Sequence, residues 1–218
     1  MKTLYLHIGW RKTGSSAIQS LITQKLAEGR VGDSLLVPVG LEAQSLVTSS
    51  QPLAHHPLAA YKQQERWRQL LTDLRRFIET GTDGKYLITS EMFSMNFARS
   101  PEMLDEMRPV FELFDAVNVL CWVRRQDQYM TSIRVQTVKH GGKAIPSKDT
   151  LKRFPPDANY FRITQMIAEK IPNAHLVPHI YDRSQNLLAQ FLTAADLDSS
   201  LADGVTLASV NSSVSGEM

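Results

Sequence analysis

At 218 residues, with 43% apolar and 21% charged side chains, the chain has the size and composition of one globular domain with a sizeable core. The formal net charge of +2 is unevenly spread: residues 184–218 hold no Lys or Arg and four acids, which leaves +6 on residues 1–183. That excess suits anionic small ligands, while the absence of clustered basic runs interleaved with aromatics argues against a nucleic-acid partner. No apolar run approaches the ~18 residues of a membrane span, no signal peptide is visible, and the single cysteine, Cys121, excludes an internal disulfide, so a cytoplasmic setting is expected.

The first predicted element is a strand, with Leu4, Leu6 and Ile8 alternating with Tyr5 and His7. Gly9 ends it. The loop Trp10-Arg11-Lys12-Thr13-Gly14 leads to Ser15 and Ser16, after which Ile18, Leu21, Ile22 and Leu26 recur at helical spacing up to Gly29. A strand, a glycine-bracketed loop, hydroxyls and a helix in this order aim backbone N–H groups and the positive end of a helix at one spot, which is the chemistry of a phosphate site. Gly9 and Gly14 have the G-x-x-x-x-G spacing of a nucleotide triphosphatase P-loop, yet Ser15 stands where that motif requires Lys. The lysine lies three positions earlier, at Lys12. Such a loop can hold a phosphate through N–H groups, hydroxyls and one ammonium, but it lacks the usual arrangement for a β/γ-phosphate with magnesium.

Ser34 to Val39 reads as a second strand, closed by Pro38 and Gly40, and residues 41–58 as a long polar loop carrying the pair His55-His56. The plainest reading of that pair is two exposed loop residues. Trp67, Leu70, Leu71, Leu74, Phe77 and Ile78 predict an amphipathic helix ending before Gly81, its charges forming the solvated face. Lys85 to Thr89 is the third strand and runs into Ser90-Glu91-Met92-Phe93; a helix follows Pro101, covering Met103 to Phe114.

Val117 to Val123 is apolar on both faces, as a central parallel strand should be, and delivers Arg124 and Arg125 to its carboxyl end. The next helix, Gln126 to His140, has Tyr129, Met130, Ile133 and Thr137 on its inner side and Gly141-Gly142 closing it. Ser132 falls two turns into this helix, so it and Arg124 can converge on one phosphate; a bond from Ser132 back to the Gln128 carbonyl is the plain alternative. Beyond a linker with Pro146, Pro155 and Pro156, the spacing predicts a helix with Tyr160, Ile163, Ile167 and Ile171, a short strand Ala174 to Ile180 broken by Pro178, and a helix marked by Leu187, Leu188, Phe191 and Leu192. Residues 1–198 read as a single domain and 199–218 as a polar tail with little structure. Strands alternating with helices imply an α/β fold of three layers, P-loop-like, with a mainly parallel sheet and ligand loops at the strand carboxyl ends. Internal repeats and metal-spaced Cys/His sets are absent from the sequence.

Lys12-Thr13-Gly14-Ser15-Ser16, directly after an amino-terminal strand, resembles the 5′-phosphosulfate loop of sulfotransferases that use 3′-phosphoadenosine 5′-phosphosulfate (PAPS). Arg124 and Ser132, in the right order downstream, resemble the 3′-phosphate site of the same family. The resemblance spans roughly residues 4–200 and is nearest to bacterial, carbohydrate-type members. It implies a cytoplasmic transferase whose donor is PAPS and whose product is 3′,5′-adenosine bisphosphate (PAP). Arg11, Lys12, Thr13, Gly14, Ser15 and Ser16 would hold the 5′ end, Arg124 and Ser132 the 3′-phosphate, and no metal is needed.

The partner implied is a small-molecule or glycan acceptor. Many carbohydrate-type members place a glutamate where Glu91 stands, which makes it the expected base. His56 is the rival, since bacterial relatives carry a similar histidine pair on the acceptor side. Alternatively, Ser90 caps the next helix and Glu91 sits in its first turn. The chain departs from the family in one respect. Cytosolic members close over the donor with a Gly-x-x-Gly-x-x-Lys loop, and here no basic residue follows Arg183, so Arg99, Arg134 or Lys139, or the polar Asn211-Ser212-Ser213, would have to serve. A P-loop kinase or NTPase and a non-catalytic nucleotide-binding module are the alternatives.

Overall fold

A computed structural model describes residues 1–31, 35, 55–62, 64–139, 141–142, 155–182, 184–203 and 205. The predicted strand 34–39 apart from Leu35, residues 41–54 of the long loop, and residues 143–154 with Pro146 of the linker lie outside the described residues. Strands β1 (Lys2–His7), β2 (Gly84–Thr89), β3 (Ala116–Val123) and β4 (Ala174–Ile180) form one parallel sheet in the order β2-β1-β3-β4. The central strands are β1, buried from Thr3 to His7 although it carries Tyr5 and His7 on one face, and β3, whose mostly apolar run is buried from Val119 to Trp122.

Eight α-helices are found among the described residues: α1 (Ser15–Ala27), α2 (His56–Ala59), α3 (Gln64–Thr80), α4 (Met92–Arg99), α5 (Glu102–Phe111), α6 (Gln126–Lys139), α7 (Tyr160–Lys170) and α8 (Leu187–Ala194). The alternation along each strand divides the core into two. Leu4, Leu6, Ile88, Val117, Val119 and Cys121 face one side and pack against α3, α4, α5 and α7. Tyr5, Leu87, Leu120 and Trp122 face the other, where Ile18, Leu21 and Ile22 of α1 and Leu188, Phe191 and Leu192 of α8 cover them. Helices on both faces of a parallel sheet make the three-layer α/β fold that the sequence predicts. None of the described helices is long and apolar enough to cross a membrane.

Four expectations need correction. The strand 174–180 is not broken at Pro178, which pairs in register with Cys121. Tyr181 donates its N–H to the Val123 carbonyl, so by alternation the nitrogen of Pro178 faces the free edge of the sheet, where no donor is required. Thr137 is exposed rather than on the inner side of α6, where Tyr129 is the fully buried residue. The tail does not begin unstructured: Ser199–Ala202 form a 3₁₀ turn that buries Leu201, with the Asp198 carboxylate accepting from Ser200 N. Finally, α4 is a separate helix between β2 and α5, where the sequence offers a helix only through the alternative of a cap at Ser90.

Candidate functional site

The loop that follows β1 is fixed where it leaves the strand. Ile8 donates its N–H to the Leu120 carbonyl, and Ser94 of α4 donates to the Gly9 carbonyl at 3.0 Å. Within it Trp10 is fully buried and its indole N–H donates to the Asp157 carbonyl; Thr13, 1% exposed, donates its hydroxyl to the Trp10 carbonyl. The Arg11 guanidinium reaches the buried Asp157 carboxylate at 3.6 Å, and the Tyr129 hydroxyl donates to the same carboxylate. Burial followed by this carboxylate pushes the Tyr129 phenol well above its ordinary value. The loop is thereby clamped to the 155–158 turn by groups 147 residues apart in sequence.

Lys12 adopts φ 68° and Gly14 φ 83°, both left-handed, before α1 starts at Ser15. For Lys12 that conformation costs about 1–3 kcal/mol, held by its surroundings. At Gly14 it favours glycine, and a Cβ there would also lie 2.2 Å from Leu187 Cδ2, whose side chain would have to shift. The turn leaves the first N–H groups of α1 without helical partners and aims them out of the loop. Beside them the Ser15 hydroxyl is 6% exposed and has no hydrogen-bond partner. Burial first, then the charges of Lys139 and Arg11, lower the Lys12 pKa below its ordinary value. Cations brought close enough to oppose each other, around free N–H groups and an unpartnered hydroxyl, make a setting that an anion would relieve.

Across from this loop stands a second cluster, built by the end of β2. His55 covers the edge of the sheet: its N–H donates to the Thr89 carbonyl at 2.7 Å and its ring Nδ1 accepts from Thr89 N at 3.0 Å. His55 is fully buried, so the pair is not an exposed one, and pinning His55 sets His56 above the strand end. His56 Nε2 lies 3.5 Å from Glu91 Oε1, and its Nδ1 is 2.8 Å from Ser90 Oγ. Gln19 of α1 donates to Glu91 Oε2 at 3.1 Å. Ser90 also accepts from Met92 N at 3.2 Å, as a helix cap does, while Glu91 occupies the N-cap position of α4 without a side-chain capping bond. Glu91 and His56, the rival bases, are therefore neighbours in one cluster.

Arg124 leaves the carboxyl end of β3 on the other flank of the loop. Its Nε donates to Gln128 Oε1 at 3.3 Å and its guanidinium carbon stands 5.9 Å above the Tyr181 ring. Arg124, Arg125, Gln128, Ile180, Tyr181 and Asp182 line a hollow of about 520 Å³. Tyr181 connects it to the loop, with its ring edge 3.5 Å from the Cβ position of Gly14. Ser132 follows Gln128 by one turn on the same stripe of α6 and is half-buried. Arg125 pairs with Asp127 at 3.0 Å instead.

Gln19, Asp157, Tyr181 and His7 are site residues the sequence reading missed. In the sequence Gln19 is one polar residue among the apolar positions of α1 and carries no motif; only the folded contacts single it out. Among the described residues no group of three His, Cys, Asp or Glu is arranged to hold a metal ion. No protein-family model matches the chain, and no curated protein matches it.

Proposed function

We propose that the chain is a PAPS-dependent sulfotransferase, moving a sulfuryl group to a hydroxyl or amine of a small-molecule or glycan acceptor. The observation that carries the reading is the convergence at one sheet end of three clusters: the Lys12 loop in the middle, Glu91 and His56 on one flank, and the Arg124 hollow on the other. The loop fits a phosphate because the buried Ser15 hydroxyl lacks a partner and the cation of Lys12 stands beside the amino-terminal end of α1. A buried free thiol, Cys121, fits a reducing cytoplasm.

In this reading Lys12, the Ser15 and Ser16 hydroxyls and the N–H groups of Gly14, Ser15 and Ser16 hold the 5′-phosphate end of the donor, with Thr13 tying the loop to Trp10 and Arg11 bracing it against Asp157. Arg124 and Ser132 hold the 3′-phosphate, which orients the donor without taking part in the chemistry. Glu91 takes the proton of the acceptor as that atom bonds to sulfur, while the bond from sulfur to the bridging phosphate oxygen breaks. The pair of electrons stays on that oxygen, and the Lys12 ammonium and loop N–H groups stabilise it most when the charge is fully developed.

The test is to supply PAPS with a panel of hydroxyl and amine acceptors and to measure PAP release with the sulfated product. Release coupled to product is expected, and Glu91→Gln should keep PAP affinity while transfer falls on the order of 10²–10⁴-fold. Near-normal transfer by Glu91→Gln with loss in His56→Ala would give the base role to the histidine. Failure to bind PAP and to transfer to any acceptor would overturn the proposal.

A further inference from the structure

We infer that Gln19 is the positioning residue of this site: its buried amide holds the Glu91 carboxylate against His56 and ties it, through Thr89 and His7, to the loop that carries Lys12. The kinetic consequence rests on the sulfuryl-transfer reading; the geometry does not.

Gln19 sits one turn into α1 after Ser15, is 2% exposed, and projects toward the end of β2 instead of into solvent. A side-chain amide buried between helix and sheet is costly unless its hydrogens are used. Both are used here. Nε2 lies 3.1 Å from Glu91 Oε2 and 3.4 Å from Thr89 Oγ1. The orientation is fixed by chemistry, since the reversed amide would put its carbonyl oxygen against the carboxylate.

The protons beyond Gln19 follow in order. Thr89 Oγ1 accepts from Gln19, and we assign its own hydrogen to His7 Nδ1, 2.8 Å away. His7 is 1% exposed and burial lowers its pKa to about 3, so the ring is neutral near pH 7. An accepting Nδ1 leaves the ring hydrogen on Nε2. That nitrogen faces the loop: a Cβ on Gly9 would lie 3.0 Å from His7 Nε2 and 2.4 Å from the unpartnered Ser15 hydroxyl. One directed file of donors therefore runs Gln19, Thr89, His7 and ends beside the candidate phosphate site. At its other end the Glu91 carboxylate is held between Gln19 on Oε2 and His56 on Oε1.

The experiment has a kinetic and a spectroscopic arm. Gln19→Leu removes the donors at similar volume. Turnover should fall about tenfold or more with PAP affinity within about twofold of normal, and adding Gln19→Leu to Glu91→Gln should cost nothing further, because the two act through one group. Additive losses, or a fall in PAP affinity matching the fall in turnover, would make Gln19 merely structural and overturn the inference. In the ligand-free protein, nuclear magnetic resonance should find the Gln19 side-chain amide hydrogens slow to exchange and shifted by Glu91→Gln, and the His7 ring hydrogen on Nε2. A fast-exchanging amide indifferent to Glu91→Gln, or a His7 hydrogen on Nδ1, would also overturn it. A wild type that transfers no sulfuryl group while the amide signature holds would sink the functional reading alone and leave the Gln19–Glu91 geometry standing.

Discussion

Acidification tests the interior of the site at one named group. The His7 ring is edge-on to Trp122 and Phe191, at centroid distances of 5.6 and 5.9 Å, and burial takes its pKa from 6.5 to about 3. Between those values the unfolded chain binds a proton at this position that the folded chain refuses. Stability therefore falls with pH, by about 1.4 kcal/mol per unit once well below 6.5. From pH 6.5 to 4.5 the contribution of His7 alone is a loss of about 2 kcal/mol. Carboxylates whose pKa is lowered in the folded state, such as Glu106 through Arg68 and Asp127 through the Gln128 N–H, weaken folding only as the pH drops toward their unfolded values near 4. Urea unfolding at several pH values in this window, on the wild type and on His7→Gln, isolates the ring: the variant starts less stable but loses about 2 kcal/mol less on acidification. Parallel curves for the two proteins, or a His7 proton resonance titrating near 6.5 in the folded state, would refute the reasoning.

Gly14→Ala should destabilise by about 1–3 kcal/mol, chiefly through the left-handed backbone with Leu187 shifting to make room, and a change under 0.5 kcal/mol in urea unfolding would contradict the loop geometry. Arg124→Ala should weaken PAP by tenfold or more while leaving AMP nearly unchanged, as calorimetry can check, since a charge-assisted contact to the 3′-phosphate is lost. Lys12→Ala should lower turnover more than donor affinity, because its charge matters most on the leaving oxygen; equal losses in steady-state kinetics and binding would count against that role.

Most of the fold was legible because its strands and helices carry clean periods. Val117 to Val123 reads as apolar on both faces and Leu4 to Ile8 as apolar residues alternating with Tyr5 and His7; both lie on the two central strands, and the stripe of Trp67, Leu70, Leu71, Leu74 and Ile78 lines the buried side of α3. Local rules failed where a contact decided the outcome. Pro178 reads as a strand breaker until the strand is known to be an edge. His55 reads as a loop residue until the Thr89 backbone needs a partner at that edge. The eight residues of α4 were too few to separate from the strand exit before them. The site was half legible for the same reason. The Lys12 loop is contiguous and the Arg124–Ser132 pair nearly so, whereas Gln19 meets Glu91 across 72 residues and Trp10 meets Asp157 across 147.

The central claim is that the Lys12 loop and the Arg124 hollow beside it are two separate phosphate sites, and thermal unfolding with PAP, AMP, and ATP with magnesium, compared side by side, tests it most directly. PAP at 100 times its dissociation constant should stabilise the protein by about 2.7 kcal/mol, with AMP at the same concentration giving little, because only the bisphosphate fills both the Lys12 loop and the Arg124 hollow. An equal response to AMP, or a response to ATP alone that depends on magnesium, would contradict the account.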